Sequence, residues 1–160
     1  MKYTVIRDTR EKSGHGWTFP ASAVCEGTIP QALKTGDYTL VGYEEILTID
    51  RKGCLAEFAG NLQQKRFERE LQRMAGFAVA AVFLEFDFEE MRRWPEGSGI
   101  PGNRRRFMKF NKHVLLARFW EIQLKYPHVL FMFVGPHGRE AAASLFKRVI
   151  EKYGKSRPSE

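Results

Sequence analysis

The sequence predicts an α/β layered domain, and three observations predict it. Strand-like and helix-like segments alternate along the chain. Two β-rich segments, residues 37–41 and 46–49, flank the turn-like Gly42-Tyr43-Glu44-Glu45 and read as a hairpin. Residues 79–86 form a nearly continuous apolar run, the pattern of a strand covered by helices on both faces.

The elements follow in order. Tyr3-Thr4-Val5-Ile6 reads as a first strand, and residues 10–16 as a polar, glycine-containing loop. Pro30 suits the first position of a short helix over residues 30–34. After the hairpin, Leu55, Phe58, Ala59 and Leu62 fall at i, i+3, i+4 and i+7. Phe67, Leu71 and Met74 continue that stripe, predicting a helix that Gly76 ends. Residues 95–103 are the loop-rich stretch. A helix over 110–126, a second buried apolar strand over 129–134 and a helix over 138–153 complete the domain. The last helix turns Ala142, Leu145, Phe146, Val149, Ile150 and Tyr153 inward. One domain is expected over residues 1–153, with a polar tail over 154–160.

Composition narrows the class. The 160 residues suit one domain, and no apolar stretch has the length of a membrane span. The first residues carry charge too early for a secretory leader. An intracellular, soluble protein is therefore expected, in cytoplasm or nucleoid, or in the nucleus of a eukaryote. Cys25 and Cys54 are expected as reduced thiols, and no Cys/His set has zinc-site spacing. The net charge is +7, unevenly spread. Residues 1–100 carry 13 Lys/Arg against 15 Asp/Glu, whereas residues 101–160 carry 13 against 4. This balance fits a polyanionic partner, and also a protein that is simply basic.

The hairpin carries the candidate chemistry. A turn centred between Tyr43 and Glu44 pairs residues whose numbers sum to 87, so Asp37 faces Asp50. Lys52 lies two residues on, on the same face, while Tyr38, Leu40, Leu47 and Ile49 point to the core. Opposed carboxylates repel unless a cation joins them. Mg²⁺, which takes oxygen ligands and keeps several waters, is a natural occupant. Such a metal polarises a phosphate oxygen and activates water, with Lys52 assisting. The plainer reading is a surface ion pair in which Lys52 neutralises the two aspartates.

Asp37-x12-Asp50-Arg51-Lys52 matches the PD-(D/E)xK pattern of restriction-enzyme-like nucleases. Around it stand Val5-Ile6-Arg7-Asp8-Thr9-Arg10-Glu11, Gly36-Asp37-Tyr38, Lys65-Arg66-Phe67, Phe83-Leu84-Glu85-Phe86-Asp87, Tyr126-Pro127-His128 and Gly135-Pro136-His137. Together these resemble the nuclease domain of the XPF (xeroderma pigmentosum group F) endonuclease family, from about residue 3 to residue 152. The resemblance implies a restriction-endonuclease-like three-layer fold, a central mixed sheet flanked by helices. It implies a Mg²⁺- or Mn²⁺-dependent endonuclease that cuts branched or junction DNA. Carried over by position, Asp37, Asp50 and Lys52 are catalytic. Asp37 and Asp50 hold metal, with Asp8 a further acidic ligand through water. Arg10, Arg51 and Arg66 contact DNA or brace the acidic cluster, and Glu11 and Glu57 stand behind it. The sequence departs from the family in having Asp50 for the usual Glu and Glu57 one residue late. It also carries no counterpart of the tandem helix-hairpin-helix module found in many members. A non-catalytic DNA-binding or partner subunit of the same fold is the alternative.

The densest basic segment, residues 103–112, places Arg104, Arg105, Arg106 and Lys109 where they would grip phosphates; its aromatics read as packing residues. The helix that follows has Val114, Leu115, Leu116, Phe119, Trp120, Ile122 and Leu124 nearly all round, which implies burial on more than one side. A homodimer is expected to cover it, or else the 95–103 loop.

Overall fold

The computed structural model describes residues 2–11 and 14–154, so the expected tail beyond Gly154 lies outside the described residues. Among the described residues six strands form one mixed sheet in the order β2-β1-β3-β4-β5-β6. They are β1 (Tyr3–Arg7), β2 (Cys25–Pro30), β3 (Tyr38–Leu40), β4 (Leu47–Lys52), β5 (Val79–Leu84) and β6 (Val129–Phe133). β1 runs parallel to β2, β3 is antiparallel to β1 and β4, and β5 is parallel to β4 and β6. The helices are α1 (Leu55–Leu62), α2 (Lys65–Met74), α3 (Phe88–Arg92), α4 (Gly102–Arg105), α5 (Lys112–Lys125) and α6 (Gly138–Tyr153).

Helices cover both faces, because strand residues alternate between them. Ala80, Val82 and Leu84 of β5 meet Phe58, Leu71, Leu115 and Phe119 from α1, α2 and α5. Ala81 and Phe83 meet Trp17, Phe19 and, from α6, Ala142, Phe146 and Val149, with Tyr38, Leu40, Leu47 and Ile49 in the same layer. The α/β three-layer architecture expected from the sequence is therefore present. Tyr38 pairs with Ile49, the register that sums to 87.

Several elements differ from expectation. Residues 30–34 form no helix; Pro30 ends the edge strand β2, where no ladder bond needs its missing N–H. The stripe from Leu55 to Met74 is two helices, separated where Gln64 takes extended backbone (φ −113°, ψ 128°). The step from Leu62 to Phe67 is the mark of that break. β6 is an edge strand rather than a buried one, and Leu130, Met132 and Phe133 are exposed. The 95–103 loop does not cover α5: Leu115, Phe119 and Ile122 are buried, while Val114, Trp120 and Leu124 face outward. Asp87 caps α3 through a reciprocal pair with Glu90.

Both ends of the described chain pack against the α6 side of the domain. Thr4 accepts a hydrogen bond from the Val41 N–H at 3.0 Å. Tyr3 contacts Phe146 of α6 edge-on, with centroids 6.0 Å apart, and Gly154 lies against the Tyr43 hydroxyl. Cys25 is buried, Cys54 is exposed, and both are free thiols. No helix among the described residues is long and apolar enough to cross a membrane.

Candidate active site

A cleft of about 320 Å³ opens between the 37–52 hairpin and helices α1 and α2. Asp8, Arg10, Gly36, Asp37, Asp50 and Lys52 line it from the sheet side. Glu57, Asn61, Gln64, Arg66, Phe67 and Glu70 line it from the helices. Alternation explains the sheet wall, since Asp50 and Lys52 face α1 and α2 while Ile49 and Arg51 face α6.

The Asp37 main chain is held from both sides. Its N–H donates to the Ile49 carbonyl, and its own carbonyl accepts from the Asp8 N–H, both at 2.7 Å. Gly36 before it has φ +75°, and a Cβ there would collide with Thr48 Oγ1 and the Ile49 carbonyl. Only glycine fits this combination of positive φ and close backbone approach. The Asp37 carboxylate accepts a 2.7 Å bond from the Arg51 N–H through Oδ2. Lys52 Nζ sits 2.8 Å from Asp50 Oδ2 and 5.0 Å from the Phe67 ring centre.

This geometry has electrostatic consequences. Burial, and then repulsion from Asp50, push the Asp37 carboxyl up to about 8, against the pull of the Arg51 N–H. Burial also raises Asp50, with Lys52 opposing. For Lys52, burial works against the charged form, but the attraction of Asp50 and Asp37 leaves the ammonium above its ordinary value. Asp50 Oδ2 is buried with no aligned hydrogen bond, even though it is ion-paired. Two carboxylates whose charged forms burial disfavours, with only Lys52 ion-paired to Asp50, fit a hard divalent cation, which would supply further positive charge. Among the described residues no group of three or more His, Cys, Asp or Glu has the spacing of a metal cage. The fit is to an ion that retains several waters, as Mg²⁺ does.

The other expected site residues divide into three groups. Asp8 lines the cleft, but its oxygens are taken up by Arg10 Nε at 2.6 Å and the Leu33 N–H at 3.0 Å. It therefore braces Arg10, which stands exposed at the rim, rather than offering a free carboxylate. Glu57 reaches the cleft and accepts from the Gly53 N–H at 3.1 Å. Arg66 is exposed at the helical wall and has no ion-pair partner among the described residues.

Arg51 and Glu11 do not belong to the cleft. The Arg51 side chain crosses to the α6 face, where its guanidinium pairs with Glu11 at 2.8 Å and Glu85 at 2.7 Å. Glu85 also accepts from Trp17 Nε1 at 2.6 Å, and a Cβ on Gly138 would strike Trp17. Arg51 is thus a largely buried brace whose charge is met by Glu11 and Glu85 on the face away from the cleft. Arg104, Arg105, Arg106 and Lys109 also lie outside the cleft; Arg105 Nε donates to the Ile100 carbonyl at 2.9 Å, and Arg106 stacks on Phe107. The sequence reading missed Asn61, Gln64, Phe67 and Glu70. The i, i+4 spacing of Arg66 and Glu70 was the available sign that both share one face of α2.

Fold and cleft together define a class, a three-layer α/β domain with a mixed six-stranded sheet and with two aspartates and a lysine in a cleft beside its central hairpin. Within that class the fold is the one shared with XPF from Aeropyrum pernix. That structure is 20% identical, with a TM-score of 0.60 over 98% of this chain and 65% of its own length. XPF from Aeropyrum pernix in complex with DNA is also 20% identical, with a TM-score of 0.55 over 99% of this chain and 68% of its own. The chain thus spans about two thirds of the structures it resembles. No family model and no curated protein sequence matches it.

Proposed function

We propose that the chain is a divalent-metal-dependent DNA endonuclease acting on branched or junction DNA. The observation that carries this reading is the juxtaposition of Asp37, Asp50 and Lys52 in the cleft, on the fold of a protein whose structure is also known with DNA. Asp37 and Asp50 would hold Mg²⁺ or Mn²⁺, which when bound supplies Lewis acidity toward a phosphodiester oxygen and an activated water. Lys52, fixed between Asp50 and the Phe67 ring, places its ammonium where charge develops on the phosphate. Arg66 and Arg10 at the cleft rim hold the flanking phosphates. Arg104, Arg106 and Lys109 add affinity away from the reacting bond.

The test is cleavage of flap, fork, nicked and linear DNA with and without Mg²⁺ or Mn²⁺. Asp37→Asn and Asp50→Asn should abolish metal-dependent cleavage and keep the fold. Lys52→Ala should lower the rate at saturating metal by a factor on the order of 10² or more. Full activity in any of the three sinks the assignment. DNA binding without cleavage in the wild type would favour the non-catalytic subunit.

The assembly we infer is a two-fold homodimer. Val114, Trp120 and Leu124 on α5 and Leu130, Met132 and Phe133 on β6 are exposed, and a second copy of the chain is the simplest cover for them. Sedimentation equilibrium at micromolar concentration should give twice the 18.5 kDa chain mass, and a constant monomer mass overturns the dimer.

A further inference from the structure

Glu70 has a task that the metal, the lysine and the DNA contacts leave unexplained. It lies on α2, one turn after Arg66, and its side chain reaches across the cleft to the sheet. There Oε1 accepts a 2.9 Å hydrogen bond from the Gly36 N–H. Oε2 pairs with Arg73 on the same helix, which fixes the carboxylate in this direction. Gly36 is the residue whose positive φ delivers the chain into Asp37.

Residues 36 and 37 lie just ahead of β3. β3 begins only at Tyr38, so the Gly36 N–H has no strand partner, and the Glu70 carboxylate takes the place of one. The next N–H, on Asp37, is held by Ile49, and the Asp37 carbonyl by Asp8. Among the described residues Glu70 is therefore the single hydrogen-bonded tie from the helical wall of the cleft to the main chain that aims the Asp37 carboxylate.

We propose that Glu70 is a positioning residue: through the Gly36 N–H it fixes the orientation of Asp37, and it couples that orientation to the helix bearing Arg66. The proposal rests on the endonuclease reading above. A phosphate held by Arg66 settles α2, and α2 in turn settles Asp37. The role requires an acceptor oxygen at the Gly36 N–H rather than a negative charge, so glutamine serves where alanine fails.

The test compares the full chain with Glu70→Ala and Glu70→Gln. Amide hydrogen exchange is measured without metal, Mn²⁺ affinity by calorimetry, and kcat and KM on a DNA flap. In Glu70→Ala the Gly36 amide should exchange faster on the order of 10- to 100-fold, the loss expected for a hydrogen bond to a charged acceptor. Mn²⁺ affinity and kcat should fall while KM for DNA and the thermal midpoint hold, a division that a general loss of packing would not give. Glu70→Gln, whose amide oxygen keeps the bond without the charge, should recover most of each. Unchanged Gly36 exchange in Glu70→Ala, or a glutamine variant as impaired as the alanine one, overturns the proposal while the wild type still cleaves. A wild type that neither binds Mn²⁺ nor cleaves overturns the endonuclease reading, and the catalytic part of this proposal with it.

Discussion

Asp37 joins a partly buried carboxyl to a second carboxylate, and that pairing dictates a pH dependence. Its folded value, about 8, lies above the ordinary 3.8. Between those values the folded chain holds a proton that the unfolded chain has released. Stability of the metal-free protein should therefore fall as pH rises through this window, by up to about 1.4 kcal/mol per unit, and level off above it. Asp50, also raised by burial, acts in the same direction. Thermal midpoints without metal should drop from pH 5 to pH 8.5, and Asp37→Asn should remove most of the drop. A midpoint that is flat or rises across that range would contradict the electrostatics of the cleft. At this scale the sequence was informative because alternation alone set Asp37, Asp50 and Lys52 on one face. The same alternation puts Arg51 on the other, and its resemblance to a phosphate-contacting residue obscured that consequence. Glu70 stayed hidden because it reaches Gly36 across 34 residues, and no local pattern encodes such a contact.

At the scale of elements, legibility followed the strength of the periodic signal. The hairpin register and the span of α6 could be read because each has one apolar face and a clear opposite. β2 could not: Cys25–Pro30 contains Gly27 at φ +131°, and half of it is exposed, so it resembles a loop. β6 was read as buried because an apolar run looks the same in an edge strand and a central one. β4 has a brace on the α6 side that answers the cleft on the other. Arg51 and Glu85 are 13% and 17% exposed, so their pair is largely withdrawn from water. Glu85→Ala strands part of the Arg51 charge and the Trp17 N–H in that layer. Breaking a buried pair in this way costs about 3 kcal/mol, or a midpoint lower by roughly 6–12 °C. Glu89→Ala, which breaks the exposed pairs with Arg92 and Arg93, should leave the midpoint unchanged. Equal midpoints for the two variants would show that the Arg51 brace is not a stabilising element.

For the whole molecule, most of the cleft comes from one stretch of chain, residues 36–70, with Asp8 and Arg10 closing its end. The basic segment over 103–112 and the apolar surface of α5 and β6 lie elsewhere. The proposed chemistry and the proposed dimer contact thus fall in different parts of the domain, and a variant that disrupts one should spare the other. The meeting of Tyr3 with Phe146 and of Gly154 with Tyr43 has a further consequence. With both ends packed on the same layer, joining them should leave the packing of the elements intact. A circular permutant, with residue 154 joined to residue 2 by a short glycine-serine linker and the chain reopened between Ser98 and Gly99, breaks no strand and no wall of the cleft. It should fold with the circular dichroism of the parent; an unfolded permutant would mean that β1 must enter the sheet from a free end.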